Sequence, residues 1–243
     1  MPMIRTLIAL AVSVALLFMT GGSVTAQALP EPAAPPLVQE ARGTNVFGAL
    51  VDSMKLLAIE HGIRIGFQPK TRRELGGPFW SDYRRSIRWP SQWEDSDSWA
   101  VNYVGHPIHG AAAGIIWLDH GPDENRPIGD KRYWGSRARA AAFSAVYSLQ
   151  FEIGPLSEAS IGNVGMRPET TGWVDHVVTP AGAFGFMIAE DALDRYFVEW
   201  VERRVDNRVV RGILRVMFHP SRTFANVVQM RAPWHRPDRP LGN

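Results

Sequence analysis

The stretch Asn102-Tyr-Val-Gly-His-Pro-Ile-His-Gly-Ala-Ala-Ala-Gly-Ile-Ile-Trp-Leu118 joins two histidines, three residues apart, to a run of small and apolar residues. Gly110 and Gly114 stand four apart, and small residues at that spacing let helices approach closely. The run predicts a tightly packed helix over 106–118. Pro107 permits two readings of what precedes it. In one, a kinked helix runs through the proline and lines Asn102, His106 and His109 along one face. In the other, His106 stands just before the helix and His109 lies in its first turn, because proline disfavours helical geometry in the residue before it and is best tolerated at a helix start. The second reading is the favoured one.

The rest of the chain extends the helical pattern. Val46 to Ile63 carries Val46, Leu50, Met54, Leu57 and Ala58 on one face, with Gly62 and Gly66 marking its end. Ser136 to Glu152 is alanine-rich. Thr179-Pro180 reads as a helix start, with Thr as N-cap and Pro in the first turn, and that helix extends to about Asp206. Within it Gly182-x-x-Gly185 reads as close packing, and the pairs Asp191/Arg195 and Glu199/Arg203 as ion pairs on a solvated face. Arg208 to Phe218 is a further amphipathic helix, and Ser221 is read as the cap of a last turn. Phe67 to Asp97 has little periodicity but holds Arg72-Arg73, Arg84-Arg85, Phe79, Trp80, Tyr83, Trp89 and Trp93. Strand signals are few. The predicted fold class is all-α: a compact helical domain over 46–243 with close small-residue packing, preceded by a signal peptide and containing an irregular aromatic-rich segment.

The 243 residues are 45% hydrophobic, enough for one sizeable core or two small ones. With no cysteine, disulfides and thiolate metal sites are excluded, so any metal would rely on His, Asp or Glu. Arg5, the apolar run Leu7–Met19 and the small residues of Thr25-Ala-Gln-Ala28 form a secretory signal pattern over 1–28, with cleavage predicted after Ala28. An uncleaved anchor is the alternative. Residues 29–45 read as a proline-rich linker. The expected location is therefore the periplasm or an envelope membrane.

Formal net charge is only +2, but it is uneven. Phe151–Glu202 holds nine acids and two bases, and Arg203–Asn243 nine arginines and two aspartates. Such a tail suits either anionic lipid headgroups or the acidic segment before it; export argues against nucleic acid. A lipid surface would be touched through Trp80, Trp89, Trp93, Arg208, Arg211 and Arg215, although the same aromatics serve equally well to cover a small core.

Polar side chains inside apolar runs are costly unless paired, which singles out Asn102, His106, His109, Glu152, Glu158, Asp175, His176, Glu190 and Asp191. His106 and His109 are weak metal candidates, since a site would need Glu152 or Asp175 from afar. Glu152 sits on the apolar side of its helix. Glu158 lies between serines and suits a cap or turn. Adjacent Asp175 and His176 point to different partners. Glu190 and Asp191 read as solvated. Nucleophile, zinc-protease and phosphate-loop motifs are missing, and no cofactor is indicated.

Several of these segments resemble an uncharacterised family of exported bacterial proteins, a domain of unknown function. The resemblance rests on Asn102-Tyr103, His106-Pro107, Gly110, Phe151-Glu152, Leu156-Ser157, Asp175, Thr179-Pro180 and Gly182. Phe151 replaces the tryptophan of that pattern, and Ser160–Thr171 is an insertion. The resemblance implies an envelope location and the convergence of His106, Glu152 and Asp175. Function is expected to be that of a non-enzymatic envelope component. The alternatives are a hydrolase or metal-dependent enzyme using the His/Glu/Asp cluster, and a module binding a small amphiphile.

Overall fold

The computed structural model describes residues 43–122 and 126–241, and the described part is helical without a strand. The signal peptide expected over 1–28, and all but the last three residues of the linker expected over 29–45, lie outside the described residues. In chain order the helices are α1 (Val46–Phe67), α2 (Pro69–Glu74), α3 (Phe79–Ser86), α4 (His106–Asp119), α5 (Tyr133–Ile153), α6 (Glu158–Ile161), α7 (Trp173–Leu193), α8 (Glu199–Glu202), α9 (Arg208–Phe218) and α10 (Pro220–Val228). π turns over Val101–Gly105 and Asp194–Val198 lead into α4 and link α7 to α8.

Helix α4 is central. It packs against α7, α5, α10 and α1, and Ala111, Ala112, Ala113, Ile115, Ile116 and Leu118 are all buried. A helix apolar on every side belongs in a core. The neighbouring helices add Leu56, Leu57, Ala140, Tyr147, Phe151, Ala183, Met187, Ala225 and Val228. Glycine is what allows the close approach. A Cβ on Gly110 would lie 2.7 Å from Ser144 Oγ and 3.1 Å from the Thr179 carbonyl, and one on Gly182 only 2.5 Å from Pro107 Cγ. Gly185 faces open space, so the predicted Gly182/Gly185 pair is half a packing motif.

Several expectations need correction. The helix is continuous through Pro107: the His106 amide bonds the Val101 carbonyl, five residues back. Proline's missing donor and the clash with the carbonyl four residues earlier are absorbed by that wider turn. Pro180 likewise lies inside α7, which begins at Trp173, and Thr179 is a buried mid-helix residue rather than a cap. Helix α1 runs past Gly62 and Gly66 to Phe67 and turns a different face inward. Ala49, Ser53, Leu56, Leu57 and His61 are buried while Val46, Leu50 and Met54 are exposed. Asp52 hydrogen-bonds His120 Nε2 at 2.8 Å, drawing that other face toward α4. The segment expected to be irregular contains α2 and α3.

Ser221 does not cap α10. Glu190 does so from α7, accepting from the Ser221 and Arg222 amides at 2.8 and 3.2 Å, so Glu190 is buried rather than solvated. Asp191 accepts from Tyr133 Oη and Arg137 Nε, both at 2.7 Å, instead of pairing with Arg195. The Glu199–Arg203 pair is present at 2.6 Å. Arg215 is wholly buried and donates to both Glu202 oxygens, at 2.5 and 3.1 Å, so it cannot touch lipid. Arg239 also reaches Glu202 and Asp194. The basic tail is thus folded onto the acidic segment before it.

Candidate metal centre

One end of the helical core gathers the start of α4, the last turn of α5 and the first turn of α7. His106, Glu152 and Asp175 occupy those three places. Each offers one ligand atom, and the three atoms all lie within 4.8 Å of one another. The His106 Nε2 to Asp175 Oδ1 distance is 3.8 Å. A zinc-sized ion holds nitrogen and oxygen ligands at about 2.0–2.2 Å, so modest side-chain rotation would close the trio around one. All three residues are more than nine-tenths buried. Glu152 Oε1, Asp175 Oδ1 and His106 Nδ1 are buried without a hydrogen-bond partner, as is the Oδ1 of Asn102, within the π turn that leads into His106.

The π turn places these groups. It lets the chain pass Pro107 without breaking, keeping Asn102 and His106 on the buried side of one continuous helix. A covering segment closes the site. The Trp173 and Val174 amides donate to the Gln92 and Trp93 carbonyls at 3.0 and 2.9 Å, and Asn102 Nδ2 donates to Asp95 Oδ1 at 2.6 Å. Gly172 makes this possible, since a Cβ there would lie 2.5 Å from the Trp93 carbonyl oxygen.

Electrostatically the place favours a cation. Burial, then the charges of Glu152, Asp95, Asp97 and Glu94, push the Asp175 carboxyl far above the usual carboxylate range. Burial raises Glu152 in the same way, with Asp95 and Asp97 adding to the effect and Arg64 opposing it. His106 is held down at about 3 by burial, then by His109 and Arg64, so its imidazole is neutral and in the form that binds metals. At neutral pH burial thus holds both carboxyls protonated and the imidazole neutral, an uncharged donor set whose carboxyls would give up their protons on binding a cation.

The other sequence candidates stand around this trio. His109 places Nδ1 3.0 Å from Glu60 Oε1 and packs edge-on to Phe151. Glu60 Oε2 also accepts from Tyr147 Oη at 2.7 Å, so His109 belongs to a neighbouring polar group and not to the trio. Glu158 heads the short helix α6, whose N-cap is Ser157, and pairs with Arg64. His176 lies beside Trp89 and Trp173. Arg64, Glu60, Asp95 and Asp97 were not singled out from the sequence. Glu60 and Arg64, four apart in the apolar α1 pattern, were the available signal; Asp95 and Asp97 sit in a polar loop that reads like any other. Arg64, Asp95, Asp97 and Glu158 also line an open cavity of about 390 Å³ beside the site.

Comparison with family models, with curated proteins and with solved structures returns no match. The function therefore has to be argued from the site.

Proposed function

We propose that the chain is an exported envelope protein that holds one divalent metal ion at His106, Glu152 and Asp175, with Asn102 as a neighbouring oxygen donor. The observation that carries this is that His106, Glu152 and Asp175, each more than nine-tenths buried, bring one ligand atom apiece within 4.8 Å of one another, with Glu152 Oε1 and Asp175 Oδ1 left without a hydrogen-bond partner. A buried polar atom left without a partner costs about 1–3 kcal/mol, and coordination to a cation offsets that cost as the two carboxyls release their protons. One imidazole and two carboxyls suit zinc, manganese or iron better than soft, thiolate-seeking ions. Burial of all ligands beneath the Gln92–Ser98 segment favours an ion held for structure over one turning over substrate. Export rests on the pattern over 1–28, and an envelope location agrees with the family resemblance.

The test is elemental analysis of purified protein, with thermal melts before and after chelation. About one ion per chain, a melting temperature lowered by chelator and restored by zinc or manganese, and loss of that response in Glu152→Gln would support the reading. Protein without metal that neither chelator nor added ions shift would overturn it. For export, N-terminal sequencing of protein from an envelope fraction should begin at Leu29; a start at Met1 in the cytoplasmic fraction would remove that part.

A further inference from the structure

Away from the metal site, and independent of it, the chain forms a helical hairpin. The π turn Asp194–Val198 and α8 make one limb, the chain turns over 203–207, and α9 returns against the π turn. The inner side of the hairpin is filled by Val198, Gly212 and the Glu202–Arg215 pair, all buried. The outer side is open. Tyr196, Phe197 and Trp200 are exposed on the first limb, and Val209, Ile213 and Met217 on α9. Tyr196 and Met217 are 67% and 68% accessible. The Phe197 and Phe218 rings meet edge to face with centroids 5.0 Å apart, which joins the two apolar stripes.

Single exposed apolar side chains are ordinary, but a joined set of them marks an interaction surface. Charge decides what this one suits. Glu202 and Arg215 neutralise one another inside, and residues 195–218 then keep Arg195, Arg203, Arg204, Arg208 and Arg211 against Glu199 and Asp206. Acids on the elements packed against the hairpin do not redress this, because Asp194 and Asp238 both pair with Arg239. Arg203, Arg204 and Arg208 are exposed where the hairpin turns, and the Arg204 guanidinium lies 4.1 Å over the Trp200 ring. Tryptophan and tyrosine beside arginine are favoured where hydrocarbon meets charged headgroups. Helix α1 gives the contrast. It too exposes Phe47, Leu50 and Met54, but Lys55, the only base over 46–58, pairs with Asp52 at 2.7 Å.

We infer that this hairpin docks the protein peripherally on an anionic phospholipid surface. The Ile213–Met217 side of α9 and the Tyr196–Trp200 stripe enter the boundary of the acyl region, and the arginines meet headgroup phosphates. At 11 residues α9 is too short to span a bilayer, so it lies in the plane of the interface. It is a helix before contact. Asn207 caps it, its side chain accepting from the Val209 and Val210 amides at 3.0 and 3.1 Å. Docking therefore orders little new chain, which favours affinity. Arg215 and Glu202 fix the inner face, so only the outer one is offered to lipid.

The experiment sediments the full mature protein, without the apolar run Leu7–Met19, with vesicles of phosphatidylcholine alone or mixed with phosphatidylglycerol. Binding to the mixed vesicles that Ile213→Asp weakens about tenfold or more, and that about 0.5 M salt largely removes, supports the inference. Leu50→Asp on α1 should leave that binding unchanged. No binding to mixed vesicles, equal binding to phosphatidylcholine alone, or equal binding by Ile213→Asp overturns it. A dimer in sedimentation velocity that Ile213→Asp dissociates, without vesicle binding, assigns the face to a second copy of the chain and also overturns it. Should Ile213→Asp fail to fold by circular dichroism, Met217→Ser decides: a severalfold loss of vesicle affinity supports the inference and an unchanged affinity overturns it.

Discussion

At the scale of single residues, burial separates groups that look alike in sequence. Arg208, Arg211 and Arg215 share one face of an amphipathic helix by spacing, yet Arg215 is enclosed with Glu202 and the Trp234 carbonyl. Its partners come from thirteen residues before it and nineteen after, which helix periodicity does not report. Arg215→Ala would leave the Glu202 charge buried, with Arg239 as its remaining pair, and should cost roughly 3–5 kcal/mol in urea unfolding; a loss below about 1 kcal/mol would mean that the pair is dispensable. The glycines give a paired test. Gly110→Ala forces its Cβ against Ser144 and the Thr179 backbone and should destabilise by about 1–3 kcal/mol. Gly185→Ala meets nothing and should stabilise by up to about 1 kcal/mol through helix propensity. His106, Glu152 and Asp175 were legible because each interrupts an apolar run. Arg64 was not, because a charged residue near a helix end ordinarily signals solvent.

At the scale of elements, both prolines were read as helix starts and both lie within helices. The rule behind that reading is sound for an isolated strand of helix, where a broken hydrogen bond is not recovered. Here the π turn at Val101–Gly105 widens the backbone before Pro107, and Gly182 on α7 gives the ring a place to pack. Tertiary packing outweighs the local preference. Gly182→Ala should therefore destabilise α4 against α7 by a few kcal/mol, read as a fall in melting temperature, and should reduce metal retention because His106 rides on the displaced turn. Unchanged melting and metal content would show that the contact is loose. The existence and order of helices 46–67, 106–119, 133–153 and 208–218 followed from periodicity and small-residue content. Which face of α1 points inward did not, because Asp52, Glu60 and His61 are held by partners distant in sequence: His120 just past α4, Tyr147 on α5 and the Leu156 carbonyl in the loop after α5.

At the scale of the whole molecule, among the described residues no helix is long and apolar enough to cross a membrane. Buried ionisable groups tie stability to pH from both sides. His106 and His219 are held at about 3, below their unfolded value. Their neutral burial stabilises at neutral pH, and that contribution is lost as pH falls below about 6.5. Glu190 is raised to about 7 by burial, despite its amide partners. The folded state holds its proton more tightly than the unfolded state does, so stability from this group is complete below about pH 4.5 and is lost as pH rises through 7. Glu190→Gln cannot ionise. Relative to the natural protein it should gain on the order of 3 kcal/mol between pH 5 and pH 8, measured as the difference of two denaturation series. A difference independent of pH would contradict the burial of that carboxyl.

The most direct measurement on the central claim is the metal content of protein purified without added ions or chelator, compared between the natural chain and His106→Ala. About one zinc, manganese or iron per chain is expected in the first and less than a tenth of that in the second, with both folded by circular dichroism. Equal content in the two, or none in either together with a melting temperature that zinc and manganese leave unchanged, would contradict a metal centre at His106, Glu152 and Asp175.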